Sequence, residues 1–277
     1  MKIEPGMRVF ITGAASGIGR ATALAFGRRK CRLFLTDINK EGLEQTAGLV
    51  RGEGGEVGKA SAFDISDYEA VKGFADQVHR ESGPMDIIIN NAGIALYALV
   101  EDMTHAHWQK VIKVNLWGPI HGIECFLPGM IQARKGHVVN ISSASGLFGA
   151  PLHAAYASAK FGIYGLSEVL RYDLAHHSIG VTVVCPGAVE TPLKNTVEIL
   201  GIDPGNPHVK EIKERFSGRA VSPERVAALI LKAIEKEKFL VITSFDIKFV
   251  LFCRRYCFPL YHYIMKRITR ILLSVKR

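Results

Sequence analysis

The sequence predicts a doubly wound α/β fold, in which helices cover both faces of a mostly parallel, seven-stranded sheet. Two observations carry this prediction. Short apolar runs rich in β-branched residues alternate with helix-like stretches, and most of these runs lack polar alternation, as in strands buried on both faces. The length of 277 residues and the hydrophobic content of 48% suit one globular domain. We therefore predict one domain over residues 1–245 and a tail over 246–277.

The elements follow from the positions of these runs between polar turns. A parallel pair of strands requires a crossover connection, usually a helix, and each interval here is long enough for one. Strands are predicted at 8–12, 32–36, 57–63 (the weakest), 86–90, 137–142, 181–185 and 239–244, and helices at 17–29, 39–51, 67–81, 104–131, 153–177 and 223–237.

The first strand-to-helix turn reads TGAASGIG over residues 12–19. Glycines allow a tight turn and a close approach of the backbone, and the N–H groups at a helix start favour a pyrophosphate. Glycine-rich turns also occur simply to form corners, but the flanking strand and helix favour dinucleotide binding. The candidate contacts are Gly13, Ser16, Gly17, Ile18 and Gly19.

The second strand ends at Asp37, 18 residues after Gly19. A carboxylate at this position accepts hydrogen bonds from ribose hydroxyls and repels a 2′-phosphate. Ser16 and Ile38 stand where a basic residue would favour NADP. The sequence thus favours NAD over NADP, with a simple turn aspartate as the alternative interpretation.

Tyr156 stands four residues before Lys160, so the two side chains share one face of a helix. A neighbouring ammonium favours the phenolate, which predicts a lowered pKa for Tyr156 and a role in general acid–base catalysis. Ordinary helix packing produces the same spacing, so the pair must be weighed with the rest of the chain.

Seven motifs occur together in one order, and the chain resembles the short-chain dehydrogenase/reductase family in its common single-domain form over about residues 5–245. They are TGAASGIG (12–19), Asp64 in AFDIS, NNAG (90–93), Asn115 in KVNLWG, ISSASG (141–146), YASAK (156–160) and CPGAVET (185–191). The resemblance implies a Rossmann fold, a homodimer or homotetramer through the long helices 104–131 and 153–177, and specific roles for the motif residues.

The implied roles divide into three sets, and no metal site is expected. The catalytic set is Asn115, Ser143, Tyr156 and Lys160; Ser143 lies 13 residues before Tyr156, and Ser142 would point elsewhere. The cofactor set adds to the glycine turn and Asp37 the residues Asp64, Ile65, Asn91, Ala92, Gly93, Tyr156, Lys160, Pro186, Gly187, Val189 and Thr191. The substrate set is Ser143, Leu147, Phe148 and Tyr156.

The resemblance implies hydride transfer between a nicotinamide and a secondary alcohol or ketone. Tyr156 would exchange the proton, Ser143 would steady the substrate oxygen, and Asn115 would fix a water that links Lys160 to solvent. One alternative is an NADPH-dependent 3-oxoacyl or carbonyl reductase. Another is a nucleotide-binding regulatory protein without turnover, which the complete set of four catalytic residues disfavours.

The substrate is expected to be a small lipophilic alcohol or ketone, of steroid, retinoid, fatty-acyl or xenobiotic type. Residues 191–222 form a long connection typical of a lid. His153 is interpreted either as a polar residue at the rim or as a substrate contact. The expected lining is apolar, comprising Leu96, Tyr97, Leu147, Phe148, Leu152, Val189 and Leu193.

The tail carries most of the charge of the chain. Residues 239–277 hold eight basic residues against one aspartate, a net of +7 out of +9, so the body has no basic groove and no nucleic-acid partner is predicted. Pro259 divides the tail into two helices, and its longest uncharged run, Tyr256 to Met265, is too short to span a bilayer. A basic amphipathic tail lying on an anionic membrane is favoured over packing on a partner subunit or over the pocket.

Five scattered cysteines without paired spacing indicate a reducing compartment, and no signal-peptide pattern opens the sequence. Cys253, Cys257 and His262 are more typical of packing than of a zinc site. We therefore expect a cytoplasmic protein with peripheral membrane contact through its tail.

Overall fold

The computed structural model describes residues 1–193, 197–201 and 220–273, with side chains through Ile271. Seven parallel strands form one sheet in the order β3-β2-β1-β4-β6-β7-β9, and β5 pairs with β8 in a separate two-stranded ribbon. The strands are β1 (Arg8–Thr12), β2 (Arg32–Asp37), β3 (Glu56–Ala62), β4 (Ile87–Asn90), β5 (Leu96–Tyr97), β6 (Gly136–Ile141), β7 (Ile179–Cys185), β8 (Glu198–Ile199) and β9 (Leu240–Ile242).

Helices connect the strands of the main sheet and cover both of its faces. They are α1 (Gly17–Arg28), α2 (Lys40–Gly52), α3 (Tyr68–Ser82), α4 (His105–Ile112), α5 (Gly118–Ala133), α6 (Ala154–Asp173), α7 (Pro223–Glu235), α8 (Phe245–Tyr256) and α9 (Phe258–Leu273). The predicted Rossmann fold, with seven strands and a helical C-terminal tail, is confirmed.

Successive side chains of the central strands enter two separate cores because they alternate between the faces of the sheet. Val9 and Ile11 of β1 pack with Phe26 on one face. Phe10 lies on the other face, 4.4 Å from Phe126 between ring centroids. Since both faces are buried, the strands are apolar throughout, which is why their sequence lacks polar alternation.

The strand order reverses between β1 and β4, so the chain crosses over in opposite directions from this point. Such a switch point leaves a crevice at the carboxyl ends of the strands, where ligands bind in open α/β sheets. The segments that follow β1, β2, β4, β6 and β7 meet at this edge, and they contain most of the predicted site residues.

The helix predicted over 104–131 is interrupted. Residues Lys113–Trp117 form a π-helical turn between α4 and α5. Asn115 lies in this turn, fully buried, and its amide hydrogen-bonds backbone groups outside and inside the helix. The wider turn is a tertiary feature that the apolar periodicity of the sequence does not encode.

The tail forms the two helices that Pro259 predicted. Helix α8 ends at Tyr256 and α9 begins at Phe258, so that Pro259 occupies the first turn, where no intrahelical N–H is needed. Within the described ranges, none of the helices combines the length and apolarity that crossing a bilayer requires.

Candidate active site

The glycine turn after β1 is fixed by backbone geometry. Gly13 and Gly17 have φ angles of +66° and +52°, in the left-handed region that favours glycine. A Cβ on Gly19 would lie 1.9 Å from the Gly13 carbonyl oxygen, so no larger residue fits without displacing the turn. Ser16 precedes α1 and makes no side-chain cap, while the Ile18 side chain packs on the core. The turn is therefore a tight backbone cradle at a helix N-terminus, which suits a pyrophosphate.

Thr12 at the end of β1 and Asn91 after the neighbouring strand β4 hold this turn. The Thr12 hydroxyl accepts hydrogen bonds from the N–H groups of Asn91 (2.9 Å) and Ala92 (3.0 Å). The Asn91 amide donates to the carbonyls of Thr12 (3.0 Å) and Gly13 (3.2 Å). Asn91 and Ala92 thus support the turn directly. Sequence reasoning missed Thr12, although its place immediately before Gly13 was a signal.

Asp37 lies against the same turn. One carboxylate oxygen accepts from the Ala15 N–H and the other from the Asn39 N–H, both at 2.9 Å. These bonds fix the orientation of the carboxylate at the carboxyl end of β2. At the end of β3, Asp64 accepts from the Ser66 N–H (2.8 Å), and the buried Ile65 contacts His121 through its carbonyl oxygen.

The π-helical turn delivers Asn115 to the site. Its amide donates to the carbonyls of Ile94 (2.9 Å) and Val111 (3.1 Å), and its oxygen accepts from the Ile94 N–H (3.2 Å). A Cβ on Gly93 would lie 2.6 Å from the Asn115 oxygen and 3.4 Å from Lys160 Nζ. Gly93 therefore lets the Asn115 and Lys160 side chains approach the same point from two elements.

Tyr156, Lys160 and Ser143 come together where β6 and α6 meet. Lys160 Nζ lies 5.7 Å from the centre of the Tyr156 ring and donates to the Ile141 carbonyl at 3.0 Å. The Ser143 side chain hydrogen-bonds Tyr156 and also accepts from the Ser145 N–H at 3.1 Å. Ser142 points away and donates to the Lys160 carbonyl at 2.7 Å, as the resemblance implied.

The predicted lowering of the Tyr156 pKa is wrong for this structure. Burial raises the pKa of Tyr156, and the hydrogen bond with Ser143 lowers it by less. Burial also lowers the pKa of Lys160 to about 8. Both side chains are almost completely buried, so the loss of hydration of their charged forms dominates both shifts.

The segment after β7 forms the second wall of the crevice. The Pro186 carbonyl accepts from the Ala144 N–H at 2.8 Å, which ties this segment to the one that carries Ser143. The Gly187 N–H donates to the Thr243 hydroxyl at 3.2 Å, and Val189 pairs with Val221. A Cβ on Gly17 would lie 2.9 Å from the Thr191 methyl group, so this wall closes against the glycine turn.

An apolar cluster surrounds Tyr156. Its buried members are Ala95, Leu96, Ala98, Val111 and Ala155, and Tyr97, Trp108, Leu193 and Val197 pack on them. Within it, the Tyr97 ring lies 4.1 Å from that of His153 and 6.1 Å from that of Tyr156.

His153 Nδ1 lies 2.6 Å from the Pro151 carbonyl, and burial lowers the pKa of His153. A neutral His153 therefore donates to this carbonyl and keeps Nε2 as an acceptor.

Leu147 and Phe148 do not join this cluster, although both were predicted to line the substrate site. The structure packs them with Val183, Cys185 and Ile247, and Leu147 is buried there. The physical reason is that α8 covers the outer side of their segment, so Leu147 faces the tail. Most of the predicted lid at 191–222 lies outside the described residues.

In the part of the chain that the structure describes, no cluster of three or more His, Cys, Asp or Glu side chains is suited to a metal ion.

The sequence model of the short chain dehydrogenase family matches residues 7–199. Estradiol 17-beta-dehydrogenase 11 of Macaca fascicularis is 36% identical over 264 residues, which cover 90% of this chain and 86% of that protein. The 3-oxoacyl-(acyl-carrier-protein) reductase FabG of Thermotoga maritima is 35% identical over 233 residues, 83% of this chain and 91% of that one. The chain belongs to the short-chain dehydrogenase/reductase family, and it is an oxidoreductase of the class that uses a nicotinamide dinucleotide.

Comparison with solved structures supports the same family. The crystal structure of a short-chain dehydrogenase/reductase from Burkholderia phymatum in complex with NAD matches with a TM-score of 0.83 and 26% identity. The match covers 94% of this chain and 96% of that one, so the Rossmann domain is shared along almost its entire length.

Proposed function

We propose that this protein transfers a hydride between NAD and a secondary alcohol or ketone, with Asn115, Ser143, Tyr156 and Lys160 as its catalytic residues. The observation that carries the proposal is the convergence of the Tyr156 phenol, the Ser143 hydroxyl and the Lys160 ammonium at the carboxyl ends of the strands. When bound, the dinucleotide supplies the atom that accepts or donates the hydride.

The chain offers a matching cradle for the dinucleotide. The glycine turn and Ser16 would hold the pyrophosphate on the first N–H groups of α1, and Asp37 would hold the adenosine ribose. Asp64 and Ile65 would flank the adenine, and Asn91, Ala92 and Gly93 would line the same side. The nicotinamide half would be bordered by Lys160, Pro186, Gly187, Val189 and Thr191, with Tyr156 beside it.

Each catalytic side chain has a task that its surroundings support. Tyr156 takes the hydroxyl proton of the alcohol during oxidation and returns it to the ketone oxygen during reduction. Ser143 donates a hydrogen bond to the same oxygen and stabilises charge that develops there. Lys160, charged at neutral pH, binds ribose hydroxyls. Asn115, adjacent to Lys160 across Gly93, belongs to the proton path from Lys160 to solvent.

The cofactor preference rests on Asp37. Its two hydrogen bonds to Ala15 and Asn39 hold a negative charge beside the glycine turn, where the 2′-phosphate of NADP would have to bind. Repulsion between these charges favours NAD. An NADPH-dependent 3-oxoacyl or carbonyl reductase is the second candidate, which the likeness to the Thermotoga maritima reductase supports.

The apolar cluster around Tyr156 supports a lipophilic substrate, and the two relatives named above are an estradiol dehydrogenase and a 3-oxoacyl-(acyl-carrier-protein) reductase. His153, with Nε2 as an acceptor, would then be a polar contact in an otherwise apolar site. A homodimer or homotetramer through α4, α5 and α6 fits the exposure of Trp117 in the turn between α4 and α5 and of Val169 and Tyr172 on α6.

We also propose that the tail docks on an anionic membrane surface in a cytoplasmic protein. Four aromatic side chains follow one another along α8 at spacings of four, three and four residues, so they share one helix face. This aromatic stripe is 45–80% exposed and consists of Phe245, Phe249, Phe252 and Tyr256. Lys248 flanks it, which suits the interface of a bilayer that contains acidic lipids.

The experiment that tests the proposed reaction is a panel of lipophilic secondary alcohols and ketones, assayed with both dinucleotides by absorbance of the reduced nicotinamide. Tyr156→Phe should reduce kcat on any active substrate by at least about a hundredfold, because it removes the transferable proton. NAD affinity, measured by quenching of protein fluorescence, should change little. Tyr164→Phe on the same helix is the matched control and should retain normal turnover. Near-normal turnover of Tyr156→Phe would refute the assignment.

A further inference from the structure

Helix α8 lies against both segments that flank the candidate active site. Ile247 is buried on its inner face and packs with Leu147, Val183 and Cys185. A Cβ on Gly187 would lie 2.6 Å from Ile247 Cδ1, so the helix also touches the wall that follows β7. The aromatic stripe lies on the opposite, exposed face of α8, so the inner face is the one that packs on the protein.

Arg254 makes the polar contact of this inner face. Its guanidinium donates to the Leu147 carbonyl and lies 5.2 Å from the centre of the Phe161 ring. Leu147 ends the short helical turn that begins after Ser143, and its N–H donates to Ala144 within that turn. Phe161 directly follows Lys160. One side chain of the tail therefore bridges the segment of the serine and the helix of the tyrosine and lysine.

We infer that Arg254 is a positioning residue, which fixes the segment Ser143–Phe148 against α6 and so holds the Ser143 hydroxyl at Tyr156. This inference rests on the proposed function. The sheet side of the segment is already held by bonds from Ser142 to Val184 and from Ala144 to Pro186. The outer end of the segment contacts α8 in two ways: the Leu147 carbonyl accepts from Arg254, and the Leu147 side chain packs on Ile247. Loss of Arg254 should therefore loosen this end while the sheet and the dinucleotide cradle remain.

The chain offers a matched control on the same helix. Arg254 and Arg255 are both exposed and carry the same charge, but Arg255 stacks 5.5 Å from Tyr256 of its own helix. Arg254→Ala and Arg255→Ala thus remove equal charge, but only the first removes the bridge from Leu147 to Phe161. Arg254→Lys keeps a cation but loses the planar group that donates and stacks at once, so it should give an intermediate result.

The first measurement does not depend on activity. Amide hydrogen exchange of the full-length protein, followed by mass spectrometry, should be faster in the peptide that covers residues 143–149 for Arg254→Ala than for Arg255→Ala. Peptides of β1 and α1 should exchange alike in both variants. Equal exchange of the 143–149 peptide in the two variants would overturn the inference, whatever the fate of the proposed function.

The second measurement uses whichever alcohol of the panel the protein oxidises. Arg254→Ala should lower kcat by about tenfold with an unchanged KM for NAD, because a misplaced hydroxyl costs turnover rather than dinucleotide binding. Arg255→Ala should match the unmodified protein. An unchanged kcat for Arg254→Ala, or equal losses in both variants, would refute a positioning role.

A pH profile distinguishes positioning from general loss of structure. The Ser143 hydrogen bond lowers the pKa of Tyr156, so its loss should move the rising limb of kcat for oxidation to higher pH. The other titratable groups near Tyr156 are Lys160 on α6, Tyr97 on β5, Cys185 on β7 and His153 at the start of α6. Arg254→Ala leaves all four in place. A profile that falls in height without moving would count against the inference.

Discussion

At the scale of single residues, the site consists of polar groups that backbone bonds hold in place. Asn115 has its amide fixed by two carbonyls, and Lys160 donates to a third. Because these groups are oriented before any ligand binds, little reorganisation is required during the reaction. This preorganisation has a cost in stability, because the Lys160 ammonium is buried, and burial lowers the pKa of Lys160 to about 8.

A residue-scale prediction concerns Asp37, which is expected to set the dinucleotide preference. Asp37→Ala should weaken NAD binding by about ten- to a hundredfold, since hydrogen bonds to a charged acceptor are lost. NADP binding should weaken less or improve, because the repulsion of its 2′-phosphate disappears. Titration of both dinucleotides by fluorescence quenching checks this, with Asp67→Ala at the start of α3 as the control. An unchanged NAD-to-NADP ratio would show that the ribose is recognised elsewhere.

At the scale of elements, the aromatic stripe distinguishes α8 from the other helices that border the sheet. The inner face of α8 packs on the protein, as in an ordinary amphipathic helix, whereas the outer face exposes four aromatic rings beside a cation. A second copy of this tail would bring like charges together, so an anionic bilayer is the partner that the charge favours.

We therefore expect the full-length protein to sediment with vesicles of phosphatidylcholine and phosphatidylglycerol, and less with phosphatidylcholine alone. Phe252→Ser should weaken binding to the mixed vesicles by about ten- to a hundredfold, because burial of one aromatic side chain contributes about 1.5–3 kcal/mol. Leu49→Ser on α2 is the matched control, since Leu49 and Phe252 are 48% and 53% exposed. Equal binding by both variants, or no binding by the unmodified protein, would contradict membrane docking and leave the proposed reaction untouched.

At the scale of the whole molecule, burial of the charged Lys160 side chain at the functional edge of the sheet lowers the free energy of unfolding, and the packing of the rest of the fold offsets this cost. Lys160 is 4% exposed, and its protonated form is less stable in the folded chain than in the unfolded chain. Below about pH 8 Lys160 is protonated in both the folded and the unfolded chain, so the full free-energy cost of burying the ammonium is present. Between pH 8 and 10.5 the unfolded chain binds more protons, so the cost decreases as the pH rises, and it vanishes above 10.5.

Lys160→Met should accordingly raise the free energy of unfolding at pH 7 by about 1–3 kcal/mol, while abolishing turnover. The loss of the hydrogen bond to Ile141 offsets part of the gain. Urea titrations at pH 7 and pH 10.5 measure the effect, which should shrink at the higher pH. The exposed Lys232→Met on α7 should have no comparable effect. A destabilised variant at pH 7 would contradict this account.

The order and type of the elements could be read from the sequence because local patterns encode them. Apolar runs between polar turns placed all seven strands of the main sheet, and the glycine turn was visible as three glycines between a strand and a helix. The π-helical turn at Asn115 was not predictable from local spacing, and the Asn115 side chain in it bonds the backbone of Ile94, which lies 21 residues earlier in the chain. The packing direction of Leu147 was equally hidden, since it depends on a helix a hundred residues later.

The sequence by itself thus determined the fold class, the family and most of the residues that meet at the candidate site, because spacing and residue type are properties of the chain. The tertiary structure alone decided their burial and their contacts. It showed that burial governs the pKa values of Tyr156 and Lys160, and that one face of α8 packs while the other is exposed. Hydration and packing depend on the distances between segments remote in the chain, which no local pattern records.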